Sequence, residues 1–176
     1  MKQAVPEAVL STDEPKVSRN TIEVEHIRID SAKPYDDVRE ALDRLPRFDE
    51  RIRALLHYGE FARAKSELKK IQGDAGLTVF SVAAHGDWLQ IRSGKRNAVQ
   101  YVIGNVLIAT KMTKHELAAG LYAPLRVMLY ENKGGTTTIE YDWPSTLFGQ
   151  YGDERVTDVA KDLDQKIHDA LINAAG

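Results

Sequence analysis

The chain has 176 residues, 43% hydrophobic and 28% charged, with a net charge of −2 and no cysteine. That is enough chain for one domain with its own core, and the missing cysteines exclude disulfides, thiolate zinc sites, iron–sulfur clusters and cysteine nucleophiles. Charges alternate in sign along the sequence, without the basic excess of a nucleic-acid binder, so no nucleic-acid partner is expected.

Residues 1–20 carry two prolines, several charges and no periodicity, and read as a mobile N-terminal tail. Residues 21–176 read as a single domain. The opening lacks the apolar run of about 7–15 residues that a signal peptide needs. No stretch approaches the ~18–20 apolar residues of a membrane span. The expectation is a soluble, cytoplasmic protein with no membrane partner.

Thr21–Ile29 alternates apolar and polar residues, and its apolar phase shifts after Val24 to Ile27 and Ile29. Period two predicts a strand, and the shift predicts a bulge near His26. Ser31 and Pro34 suit a helix start, Val38, Ala41, Leu42 and Leu45 recur at helical spacing, and Pro46 ends the run. Two further helical patterns fill residues 49–72, an extra layer before the next strand. The weak basic excess at Arg63, Lys65, Lys69 and Lys70 sits beside Glu60 and Glu67 and reads as a solvated helix face.

Leu77–His85 is β-rich and apolar, which predicts a strand buried on both faces. Trp88–Ile91 reads as a short strand. Ala98–Ile108 reads as a long strand, and Gly104 within it marks a bulge or a close backbone approach. Met112–Leu121 has room for a helical turn or two. Leu125–Glu131 and Thr136–Tyr141 flank Asn132-Lys133-Gly134-Gly135, a hairpin signal. A turn centred there puts Arg126 opposite Tyr141 and Met128 opposite Ile139. From about Asp153 one apolar stripe runs through Val156, Ala160, Leu163, Ile167 and Leu171. The pattern predicts an α+β fold with helices on one face of a sheet.

These residues also carry a resemblance. Ala84-His85-Gly86, Tyr101–Asn105 with Ile108-Ala109 and Met112, Tyr122–Val127, Tyr141–Ser145 and Leu163-Asp164, in that order, resemble the Domain of Unknown Function 302 family. The family's pattern has a proline directly after the asparagine, and Val106 stands in that place here. The resemblance implies a curved, mainly antiparallel sheet of β-α-β4-α type, in outline like DNA-binding saddle proteins, and a homodimer. It implies no activity, cofactor or catalytic residue, and fold alone does not carry function.

Among candidate site residues, Arg126 stands out because it interrupts an apolar strand. A buried guanidinium must be paired. It is either an internal salt bridge or an anion anchor, with Asn105, Tyr141 and Ser145 completing a ligand pocket. Asn105 alternatively caps a strand-to-helix turn. His85, before Gly86, is the best-placed of five histidines, either an acid/base or a turn histidine bonded to backbone. No metal-ligand spacing, nucleophile elbow or phosphate loop occurs. The reading is a non-enzymatic binding or sensing domain for a small anionic ligand. Its alternatives are an enzyme on a small anionic substrate using His85, and a homodimeric protein–protein module.

Overall fold

The protein is described here by a computed structural model covering residues 15–176. The expected tail over residues 1–20 falls outside the described residues up to residue 14; residues 15–20 are exposed and form no helix or strand.

Five strands form one open antiparallel sheet: β1 (His26–Ser31), β2 (Thr78–Ala83), β3 (Ala98–Gly104), β4 (Leu125–Glu131) and β5 (Thr137–Asp142), in spatial order β1-β5-β4-β3-β2. The phase shift at His26 marks the start of β1 and not a bulge. One residue earlier, the Glu25 carbonyl still accepts from Trp143 N in the same register, while its own N–H turns to Thr146 Oγ1, so the ladder ends there. Ile29, Ile139, Leu129, Val127, Tyr101 and Ile103 share the buried face. The helices α1 (Tyr35–Asp43) and α7 (Glu154–Ala175) pack on it. Their apolar spacing of three and four puts Val38 and Leu42, and Val156, Ala160, Leu163, Ile167 and Leu171, against the strands.

The other face carries charged and polar side chains. Its side chains satisfy one another: Arg28 donates to Asp30, Glu140 and Tyr130, and His26 lies 2.8 Å from Asp142. The hydrogen bond to Asp142 raises the His26 pKa. This uncovered face is why β2 is not buried on both sides. It is an edge strand in which Thr78 and Val79 are buried and Ser81 is exposed. A bulge falls between Val79 and Ser81, and Val79 exchanges backbone bonds with Pro46 and Phe48, which cover the edge.

Three more expectations change. Trp88–Ile91 is helical, not extended: α4 (His85–Trp88) leads into a 3-10 turn over Leu89–Ile91. Gly86 requires its lack of a side chain, because a Cβ there would lie 1.8 Å from the Arg96 carbonyl oxygen. The long strand stops at Gly104, a close approach as expected, where a Cβ would meet Pro124 at 3.0 Å. The apolar residues beyond it form α5 (Val106–Thr113), followed by a 3-10 segment, Leu117–Tyr122.

The hairpin register differs by one residue: Val127 faces Tyr141, Met128 faces Glu140 and Leu129 faces Ile139. The loop between Glu131 and Thr137 holds an odd number of residues, closed by Asn132 N–H to the Thr136 carbonyl, with Gly135 at φ +81°. A one-residue slip exchanges the faces of a strand. Arg126 is therefore exposed and on the open face, not in the interior.

Candidate functional site

The expected site residues do not come together. Arg126 lines a dip of about 70 Å3 beside Leu121, Tyr122 and Asp142, and forms no ion pair among the described residues. Tyr141 is buried on the helical face, where its hydroxyl meets His168 Nδ1 at 2.9 Å and burial raises its pKa. Ser145 is the second residue of α6 (Pro144–Gly149), and its N–H donates to Asp164 Oδ1 at 2.8 Å. It borders a hollow that also holds Glu23 and Glu25, the wrong sign of charge for an anion. His85 packs edge-on against Trp88, and among the described residues its ring has no backbone hydrogen bond. It sits beside Arg96, at the Ala98 end of β3, and Asn105 follows the other end, roughly 20 Å away.

Asn105 lines another large hollow, and its role there is structural. It is the N-cap of α5: Oδ1 accepts from Leu107 N at 2.8 Å and Ile108 N at 3.2 Å. Nδ2 donates to the Gly76 carbonyl and to Gln72 Oε1. Both donors and both lone pairs are used, so nothing is left for a ligand. Val106 is the first residue of the helix, the position where proline is favoured, which explains how valine and the family's proline serve the same turn.

What Asn105 ties together is a groove. The helices α2 (Arg51–His57) and α3 (Phe61–Lys70) form the predicted extra layer, held to α5 by a small apolar cluster around Ile52, Ala64 and Leu68. Between α3 and α5 lies a hollow of about 780 Å3, within the size range of ligand sites. Its apolar lining includes Leu56, Phe61, Leu68, Val106 and Leu107. Its rim holds Lys65 and Lys69 from α3, Lys111 and Lys114 from the end of α5, and Lys166 from α7. Among the described residues no carboxylate lines it. The lysines that form ion pairs among the described residues are Lys70, Lys95 and Lys161, none of them on the rim.

The sequence contained half of this signal. Of the basic cluster on α3, Arg63 pairs with Glu60 and Lys70 with Glu67, the solvated face expected. Lys65 and Lys69 point to the groove instead. Lys111, Lys114 and Lys166 lie far along the chain and had no local pattern to mark them. Among the described residues no three His, Asp or Glu side chains gather as a metal site, and no helix is long and apolar enough to cross a membrane.

A sequence model described as "Domain of unknown function DUF302" matches residues 53–174. The chain belongs to the DUF302 family. The match begins within α2 and takes in α3, α5 and α7, so every wall of the groove lies in the DUF302 region. A solved structure, "Crystal structure of uncharacterized conserved protein DUF302 from Bacillus stearothermophilus", is similar with a TM-score of 0.59 and 19% identity, over 86% of this chain and 98% of that one. That likeness shows the shared α+β fold. No curated protein matches the chain. Within the DUF302 signature, Gly86 and Gly104 serve close packing, Asn105 caps α5, and Asp164 caps α6 across the helical layer.

Proposed function

We infer that this DUF302 protein is a non-enzymatic binding or sensing domain for a small anionic ligand, and that the ligand sits in the α3–α5 groove rather than at Arg126. One observation carries the reading: five lysines line a largely apolar groove in which no described residue is a carboxylate. Clustered like charges repel, and an anion relieves that repulsion. The enzyme alternative loses support because His85 lies at the other end of β3 from the groove.

The test is fluorescence titration with 1-anilinonaphthalene-8-sulfonate, an anionic dye with an apolar body. The Lys65→Glu/Lys111→Glu double variant is expected to weaken the dye by about tenfold or more, and added salt to weaken it in the wild type. Unchanged affinity in a folded double variant overturns the reading.

A different observation favours an interaction module as the second reading. Leu117 and Leu121 are 85% and 75% exposed, and Leu121 lies next to Arg126. Isolated apolar side chains are ordinary, but a cluster marks a contact surface. Sedimentation equilibrium on the wild type and on Leu117→Ser/Leu121→Ser decides it: a homodimer that the pair of substitutions dissociates supports this surface, and a monomer in both removes it.

A further inference from the structure

A second hollow, a cleft of about 140 Å3, lies against α5 on the side turned away from the lysines. Helical spacing separates the two. Leu107, Lys111 and Lys114 follow at intervals of four and three and line the groove, while Ala109 and Met112, three apart on the opposite side, line the cleft. The cleft sits where α5 meets the end of β3, the start of β4, α6 and α7, and Phe80, Met112, Pro124, Phe148 and Leu163 bound it. Gly104 contributes no side chain to fill it. Phe80 is held by stacking on Phe48, with ring centroids 4.8 Å apart. Among the described residues that line the cleft, none is charged. Its polar side chains are Asn105 and Thr110. Asn105 is fully used as the cap of α5, and the Thr110 hydroxyl donates to the Leu107 carbonyl at 3.2 Å. A water held in such a space needs about two to four polar partners, and of these side chains only the Thr110 oxygen has capacity left.

We propose that this cleft is a second ligand site, for an uncharged single-ring aromatic molecule, and that it works independently of the anion groove. Volume sets the size: an apolar cavity of about 150 Å3 accommodates benzene. The lining sets the chemistry. The rings of Phe80 and Phe148 and the thioether of Met112 are favourable neighbours for an aromatic ring. A carboxylate or ammonium group on the ligand would lose its hydration there and gain no partner.

The experiment is calorimetric titration of the full chain with toluene and with benzoate, which share a ring and differ in charge, at low and at high salt. At high salt, where the lysines are screened, toluene is expected to bind at least about tenfold more tightly than benzoate. Its affinity is expected to be the same at both salt concentrations and in the Lys65→Glu/Lys111→Glu variant. Ala109→Phe places a ring in the cleft and is expected to weaken toluene by about tenfold or more. Should that variant fail to fold, Phe80→Ala widens the cleft, and naphthalene is expected to bind the variant at least about tenfold more tightly than the wild type. Absence of toluene binding up to its solubility in water overturns the site, as does a folded Phe80→Ala variant without that gain. Toluene affinity that survives in a folded Ala109→Phe variant, or that falls in the lysine variant, places the ring elsewhere and equally overturns it. None of these results bears on the anion groove, whose own test is the salt-dependent dye.

Discussion

Asp164 is a carboxylate that the fold keeps from water, and burial raises its pKa. It stays because it accepts the Ser145 N–H at the start of α6, a donor that would otherwise be left without a partner. A raised native pKa means that the native state holds the proton more tightly than the unfolded chain. Stability from this residue is therefore highest at acid pH and falls as pH rises from the unfolded value, about 4, through the native one. Asp164→Asn keeps the acceptor and removes the charge, so it is expected to lose that pH dependence. Asp164→Ala removes the acceptor and is expected to cost about 2 kcal/mol. Urea unfolding at pH 4.5 and pH 7 checks both. Arg126 is the contrasting case. Exposed and unpaired, it is expected to change stability by less than about 0.5 kcal/mol when replaced by alanine. A buried, paired guanidinium would have cost several times more, and the same urea series distinguishes the two.

At the scale of elements, the turn from β3 into α5 decides most of what the groove is. The run from Tyr101 to Ala109 is apolar enough to continue as a strand, and the asparagine stops it. Its extended backbone and its carbonyl bonds to Leu107 and Ile108 start a helix instead, while its amide pins the loop that ends α3. Asn105→Ala is expected to destabilise the protein by about 2 kcal/mol, from the lost cap and the unsatisfied Gly76 carbonyl. Val106→Pro, one residue on, is expected to be neutral or stabilising by up to about 0.5 kcal/mol, since the position already has the geometry proline imposes. Thermal melts of the two variants side by side check the pair, and a destabilised Val106→Pro would mean that the first turn is not an ordinary N-terminal one.

The molecule as a whole is two packed units of unequal strength. The main core joins all five strands to α1 and α7, while α2 and α3 rest on a separate, smaller cluster. Hydrogen exchange is expected to rank accordingly: backbone amides of β3 and β4 exchange only by global unfolding, and those of α3 exchange faster through local opening. Exchange of α3 as slow as the sheet would show one cooperative unit. A groove wall with lower local stability is also a wall that a ligand can order, so a bound anion is expected to slow α3 exchange more than β4 exchange.

The five sheet strands, the first three helices and the last one, the hairpin and the glycine contact at Gly104 were legible in the sequence, because each follows from local periodicity and turn chemistry; the helical turns at His85–Ile91 and the helix α5 were not, because their short apolar runs suit a strand equally well. The DUF302 signature was legible too, as an ordered set of short pieces. The hairpin register was not, since one extra loop residue is locally inconspicuous yet reverses which side chains face the core; with it went the buried Arg126. The lysine rim was not legible either. Its members are separated by up to a hundred residues, and whether each finds a carboxylate or a neighbouring lysine depends on how three helices cross, which no local pattern states. The sequence by itself determined most of the secondary structure and the family. Tertiary packing decided where charge collects without a partner, because electrostatic pairing depends on distance in space and not on distance along the chain.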